Sequence, residues 1–388
     1  MMPLERNVKL MIMVDWYAPG YKAGGQIRSI KNLVDTLQDT LDIYIVTSDN
    51  DLGDTSLYLD MEKNKWLKFH NHHVIYLNEG KRNISSFIHL IREVKPDIVY
   101  LNSMFSYDFT IKPLLGILTI DSKNIKVILS PRGMLQKGAM QFKNFKKRFY
   151  LAFLKIIGIQ KRIIFHSTDD TESLDIVKYF GSSVKIRQTP DFFASQINPF
   201  RQIVKNKGQL NILFVSRISG KKNLLFSLKV LSEIKTDKNI SFKIIGPIES
   251  EHYWSTCQKI IERMPPHVQV HYEGSVHPAD LQEYYLASHL FFLPTYGENF
   301  GHVIFDSFMY GRPVLISDQT PWKNLREIKC GSDFSLDQPY LFKSFLEDAA
   351  EWDQKEFDEW CLNAWHYAEE KLQNTNLQSI YTELFSHV

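Results

Sequence analysis

The stretch from Leu290 to Ser317 leaves few folds open to this chain. An apolar run, Leu290 to Pro294, has the length of a buried strand, and a loop carrying Glu298 follows it. Apolar residues then recur at helical spacing from about Phe300 to Tyr310, and after Gly311-Arg312-Pro313 a second apolar run spans Val314 to Ser317. Strand, loop, helix, strand is one βαβ unit, and such a unit places its two strands parallel with the helix on one face of the sheet. Repeated units of this kind argue for a doubly wound, mostly parallel sheet.

The rhythm recurs on both sides of a polar, irregular segment. In the first half, strands are predicted near Lys9–Trp16, Asp42–Thr47, Val74–Leu77, Asp97–Asn102, Val127–Ser130, Arg162–Ser167 and Val184–Arg187. In the second half they are predicted near Asn211–Arg217, Phe242–Gly246, Val268–Glu273 and the two strands named above. Helical patterns lie between most of them. The boundaries read as a first α/β domain over 1–190, a linker over 191–209, a second α/β domain over 210–370 and a C-terminal helical segment over 371–388. With 388 residues the chain has ample length for two cores.

Composition narrows the function class. No apolar run is long enough to cross a bilayer, and the N-terminus lacks the basic-then-apolar order of an export signal. Three scattered cysteines, Cys257, Cys330 and Cys361, form neither a metal spacing nor a disulfide framework, which fits a reducing cytoplasm. Charge is uneven: residues 1–190 carry 27 Lys and Arg against 19 Asp and Glu, whereas residues 191–388 carry 19 against 25. The first half is therefore expected to face something anionic. No nucleic-acid motif accompanies that charge, so nucleic acid is not an expected partner.

Ligands of doubly wound sheets bind beyond the C-terminal ends of the strands, and the candidate residues all fall there. The helix after Glu298 starts at a glycine, Gly301, and a helix N-terminus with close backbone access is a ready anion seat. Two acids, Glu298 and Asp306, bracket it. The strand opening the second domain ends in Ser216-Arg217-Ile218-Ser219-Gly220-Lys221-Lys222, which places cations at another strand end. The first strand of the first domain leads into Tyr17-Ala18-Pro19-Gly20-Tyr21-Lys22-Ala23-Gly24-Gly25, which is no dinucleotide fingerprint. Histidines are less informative. His70, His72 and His73 read as a solvated edge strand, and His166 ends an apolar strand. His302 and Asp306, one turn apart, are too few ligands for a metal, so no metal is expected.

Glu298, Phe300-Gly301, Asp306 and Gly311-Arg312-Pro313-Val314 together resemble the donor-site signature of the retaining glycosyltransferases of family 4. The one departure is Asp306, where the family usually has Glu, so that its reach is shorter by a methylene. The resemblance implies the GT-B fold, in which two Rossmann-like doubly wound domains face one cleft and a C-terminal helix, here Leu377–Phe385, crosses back to the first. It implies that Arg217 and Lys222 grip the donor diphosphate and that Glu298 holds hydroxyls of the donor sugar, these three being the catalytic candidates. Asn299, Phe300, Gly301, His302 and Asp306 are implied in donor binding, with Asp306 on the ribose and the Gly301-His302 backbone on a phosphate. Gly246 and Glu249 are implied beside the nucleobase, and the Gly24-Gly25 pair beside the donor phosphate and acceptor. Many family members have a histidine near Ser130-Pro131-Arg132. Here Arg132 stands instead, read as a contact to phosphate or an anionic acceptor, or else as a surface arginine.

From Lys137 to Arg162 the chain has eight Lys and Arg and no acid. Phe142, Phe145, Phe149, Ala152, Phe153 and Ile156 recur there at helical spacing. Such a helix suits an anionic membrane surface. Lys143, Lys146, Lys147 and Arg148 are expected to face lipid, with the Phe stripe packed on the protein. The expected function is transfer of a sugar from a nucleotide-diphosphate donor, which is a co-substrate rather than a cofactor. The acceptor is expected to be a saccharide, lipid-linked, in surface-polysaccharide synthesis at the cytoplasmic face of the inner membrane. A nucleotide-sugar epimerase or hydrolase, or a catalytically silent nucleotide-sugar-binding scaffold, are the alternatives.

Overall fold

A computed structural model describes residues 7–54, 56–58, 61–120, 124–136, 140, 144–194, 196–234 and 238–386. The chain forms two compact units. One comprises the residues up to Phe193 together with those from Asn376 onward, and the other is Ala194–Thr375.

The first unit is built on an eight-stranded sheet: β1 (Lys9–Met13), β2 (Asp42–Ser48), β3 (Trp66–Phe69), β4 (His72–Leu77), β5 (Ile98–Asn102), β6 (Lys126–Ser130), β7 (Ile163–Ser167) and β8 (Lys185–Gln188). Its order is β3-β4-β2-β1-β5-β6-β7-β8, and every pairing is parallel except β3 with β4, where Leu67 lies opposite Val74. Leu10 to Met13 have no solvent exposure, as expected of a central parallel strand covered on both faces. The helix Gly25–Leu37 turns Ile27, Ile30, Leu33, Val34 and Leu37 inward at three- and four-residue spacing. β3 is a strand the sequence reading missed. It pairs along β4, so His72 and His73 do not lie on a solvated edge, and His72 Nδ1 meets Gln38 Oε1 at 2.8 Å.

A helix that follows the second unit in sequence belongs to this one. In the helix Leu377–Ser386, Tyr381 donates to the Pro190 carbonyl at 2.9 Å and packs on Phe192, while Phe385 meets the Tyr100 ring edge-on. Beneath it Arg132 is buried, at φ +56, with its guanidinium bonded to Asp191, to Asn102 Oδ1 (3.0 Å) and to the Tyr100 hydroxyl (3.1 Å). Ser29 of the helix Gly25–Leu37 also donates to Asp191. Arg132 is therefore neither a surface arginine nor placed to reach a phosphate. It is committed to a buried ion pair that ties β6 to the residues leaving the unit. Burial, reinforced by the Arg132 charge, pushes the nearby His166 imidazole down to about 3 while it bonds Tyr100 and Thr189.

The second unit is a six-stranded, all-parallel sheet of β9 (Gln209–Val215), β10 (Asn239–Ile245), β11 (Val268–Tyr272), β12 (Leu290–Leu293), β13 (Val314–Ser317) and β14 (Gly331–Phe334). Its order is β11-β10-β9-β12-β13-β14. The winding reverses between β9 and β12, which makes their carboxyl ends the topological switch point. The residues read as linker are divided: Phe192 and Phe193 are buried in the first unit, whereas Lys205 is buried in the second. Lys205 Nζ donates to the carbonyls of Ala350 (3.1 Å) and Trp352 (3.2 Å), capping the helix Pro339–Glu351, and burial pushes its pKa down to about 8. Arg312, 1% exposed, donates to the carbonyls of Tyr310 and Arg201 and so fastens the same segment to the sheet. Cys257, Cys330 and Cys361 are buried thiols. Among the described residues no helix is long and apolar enough to cross a membrane.

Candidate functional site

Three loops converge at the switch point of the second sheet. After β9 the chain runs through Ser216–Asn223 before the helix Leu224–Ser232, and after β12 it runs through 294–301 before the helix His302–Met309. The two loops are stitched through main-chain carbonyls, which accept from one main-chain and two side-chain donors. Tyr296 N–H donates to the Lys221 carbonyl at 2.8 Å, and the Asn223 amide donates to the Pro294 carbonyl at 3.0 Å. The Thr295 hydroxyl also donates to the Lys221 carbonyl. The third loop, after β13, enters through Gln319, whose carbonyl accepts from Glu298 N–H at 3.2 Å. This framework fixes where the two side chains of interest emerge.

Those side chains meet. Lys222 Nζ lies 2.5 Å from Glu298 Oε1, with the pair only 13% and 11% exposed. Burial by itself would raise the Glu298 carboxyl. The Lys222 ammonium, with Lys221 behind it, overrides burial and holds the carboxyl below the usual range. The result is a carboxylate held against a lysine at the end of a parallel sheet. Lys222 has three donors and Glu298 takes one, which leaves capacity for a ligand beside the pair.

Next to the pair, Gly301 heads the helix His302–Met309 in the left-handed region, at φ +82, and no side chain caps that end. A Cβ there would come within 2.9 Å of Ile304 Cδ1, so a side chain is doubly disfavoured. The turn before it is held by Trp322, whose indole N–H donates to the Phe300 carbonyl at 2.6 Å, and Phe300 packs against both Trp322 and Phe305, which stack on each other. His302 and Asp306 follow on the helix, both buried. Asn299 is half-buried in the same turn.

Arg217 comes from the same β9 loop and is paired with a residue that follows β10. Its Nη1 meets Glu249 Oε2 at 3.0 Å, with both side chains well exposed. Gly246, read from the sequence as a nucleobase neighbour, is a packing glycine. At φ +143 its missing Cβ would sit 2.0 Å from the Ser216 carbonyl oxygen, and Tyr272 donates to its own carbonyl. Lys222, Glu298, Asn299, Phe300, Gly301, His302 and Asp306 thus share one corner, with Arg217, Gly246 and Glu249 along the β9 and β10 ends.

Gly24 and Gly25 belong to the first unit and begin the helix Gly25–Leu37, Gly24 at φ +67 with open space where a Cβ would be. The turn before them is anchored to the loop after β2, where Asp51 accepts from the N–H groups of Tyr21 and Lys22 and Asp54 pairs with Lys22. Sequence reasoning missed Asp15, at the end of β1 beside the switch point of the first sheet. Its carboxylate accepts from Ser106 at 2.6 Å, and burial, only partly offset by that bond, raises it to about 6. Its place directly after the apolar run Leu10–Val14 was the available signal. Among the described residues no group of three or more His, Cys, Asp or Glu is disposed to hold a metal ion.

Residues 195–325 match a family described as Glycosyl transferases group 1, a span that contains Arg217, Lys222, Glu298 and Asp306. A Klebsiella pneumoniae protein described as an uncharacterized 41.2 kDa protein in the cps region is 26% identical over 252 residues, 61% of this chain. The match spans 66% of that relative's length. Among solved structures, Anabaena HepE in complex with UDP and glucose aligns over 98% of this chain and 100% of its own, at TM-score 0.70 and 12% identity. WaaG, a glycosyltransferase involved in lipopolysaccharide biosynthesis, aligns over 98% and 99%, at TM-score 0.62 and 15% identity. At such identities the likeness shows the fold. The fold is GT-B, two parallel-sheet α/β domains with a helical C-terminus.

Proposed function

We propose that this chain is a retaining glycosyltransferase that moves a sugar from a nucleoside diphosphate to a saccharide on a lipid carrier, in the synthesis of a surface polysaccharide. The observation that carries the reading is the Lys222–Glu298 pair at the switch point, beside a helix that begins at an uncapped glycine. A donor sugar carries hydroxyls that need an acceptor, and a diphosphate leaving group needs cations and N–H donors. Glu298 supplies the first, while Lys222, Arg217 and the N-terminus of His302–Met309 supply the second. Asp306, one turn into that helix, would take the ribose diol, and the Gly246–Glu249 turn would run beside the base. The group 1 match over this unit and the UDP-bound Anabaena structure support a nucleotide-sugar donor. The relative from a cps region and the lipopolysaccharide enzyme support the polysaccharide context.

The chemistry asks for no covalent nucleophile. The bond from the anomeric carbon to the diphosphate oxygen breaks, and negative charge grows on the diphosphate against Lys222 and Arg217. The acceptor hydroxyl oxygen bonds the anomeric carbon on the face just vacated, and its proton passes to the departing phosphate oxygen. In this scheme the cations take the part of charge neutralisation. The test is thermal stabilisation by UDP, GDP, ADP and CMP, followed by product analysis with conjugates of the nucleotide that binds. A ligand at about 100 times its dissociation constant adds about 2.7 kcal/mol. Release of nucleoside diphosphate with an elongated acceptor supports transfer. An isomerised but intact nucleotide sugar would replace the reading by epimerisation, and binding without turnover would leave a scaffold.

A further inference from the structure

The helix Asn144–Ile156 is apolar on two faces. Leu151 and Leu154 pack into the core of the first unit, and Tyr150 meets Phe105 edge-on. On the opposite face Phe145, Phe149 and Ile156 are 86%, 71% and 83% exposed, with Phe153 exposed between them. Their spacing of four, four and three places them on one stripe of the helix. This reverses the orientation expected from the sequence, in which the Phe residues faced inward. Lys146 and Arg148 flank the stripe in solvent, whereas Lys147 is turned over the Phe105 ring at 5.1 Å and does not face outward. Lys143 and Phe142 lie outside the described residues.

We propose that this helix seats the first unit on an anionic lipid bilayer, with Phe145, Phe149, Phe153 and Ile156 entering the headgroup–acyl boundary and Lys146, Arg148 and Lys155 meeting the phosphates. A soluble surface rarely carries three solvent-exposed phenylalanines in a row without a partner. The charge around them selects the partner, since residues 137–162 hold eight cations and no acid. An apolar stripe edged by cations is the arrangement of an interfacial helix on anionic lipid. A second copy of the chain seated on the same stripe would set one cationic segment against another, which argues against a self-interface.

The experiment is co-sedimentation of the full chain with phosphatidylcholine vesicles, with and without phosphatidylglycerol. The wild type is expected to sediment with the mixed vesicles, and less as salt is added. Lys146→Gln/Arg148→Gln should weaken partition by roughly five-fold per cation removed. Phe145→Ser/Phe149→Ser should weaken it at least roughly ten-fold even at high salt. Because those rings are exposed, the serine variant should keep the wild-type melting temperature. The proposal fails if the wild type ignores the mixed vesicles, or if the serine variant binds them equally well. A marked loss of melting temperature would show the stripe packing within the protein. A dimer that the serine pair converts to monomer would show a second copy as the occupant. Nucleotide binding by the wild type, measured on the same preparation, reads the donor-site proposal without the vesicles, so the failure of one reading is distinguishable from the failure of the other.

Discussion

Lys222 and Glu298 stand 76 residues apart in sequence and 2.5 Å apart in space, and the chain that joins them runs through three strands, β10, β11 and β12. Each projects from a loop that the other's loop holds in place. Removing one partner leaves a mostly buried charge, so Lys222→Met and Glu298→Gln should each cost about 2–4 kcal/mol of unfolding free energy. The double variant should cost less than their sum, and urea denaturation of all four proteins measures the coupling. Additive losses would show that the pair does not act as a unit.

Turnover should separate the cations by their setting. Arg217 and Glu249 form an exposed bridge of the kind worth about 0–1 kcal/mol. Arg217→Gln should therefore leave the melting curve almost unchanged while lowering kcat by roughly 10²-fold through lost charge neutralisation. Glu249→Gln is the control, because it breaks the same bridge without removing the cation. Full turnover of Arg217→Gln at saturating donor would end the role assigned to it.

Two glycines with positive φ should differ sharply. Gly246→Ala sets a Cβ against the Ser216 carbonyl and should cost more than about 3 kcal/mol or prevent folding. Gly24→Ala meets nothing within 4 Å and should cost about 1–2 kcal/mol from its left-handed backbone alone. Equal melting temperatures would refute the close approach of the β9 and β10 ends.

Acid should weaken the fold through two buried imidazoles. His166 is pushed down to about 3 and His289 to about 4, in both cases chiefly by burial. Below their ordinary value of 6.5 the unfolded chain takes protons that the folded chain refuses. Their contribution is therefore whole above that pH and is lost as pH falls toward 4, by roughly 1.4 kcal/mol per unit for each group. Asp15 works the other way. Raised to about 6, it binds its proton more readily when folded, so its penalty is present above pH 6 and relieved as pH falls toward 3.8. Asp15→Asn should raise stability at pH 7.5 by about 1–3 kcal/mol and change nothing near pH 3.5. Denaturant curves across this range check both signs.

The alternation of strands and helices was legible because parallel strands covered on both faces read as unbroken apolar runs, as at Leu10–Val14 and Leu290–Leu293. The corner around Lys222 and Glu298 was legible for the same reason: its residues sit directly after such runs. Short strands at or next to the sheet borders were not. Trp66–Phe69 and Gly331–Phe334 are four residues each, and their pairing depends on neighbours that local pattern does not name. Arg132 looked like a residue aimed at a ligand because its true partner, Asp191, is 59 positions away. The Asn144–Ile156 helix was misread in orientation because it is apolar on two sides, and periodicity alone does not say which side the core will take.

The return of the chain end to the first unit sets an order of events during synthesis. Ala194–Thr375 is contiguous and can close as soon as it has left the ribosome. The first unit, begun earlier, waits for Tyr381 and Phe385 to cover Tyr100 and His166, and so it carries an unfinished surface through the making of its neighbour. Any protection of that surface in the interval has to act on the unit translated before its neighbour, not on the one still emerging.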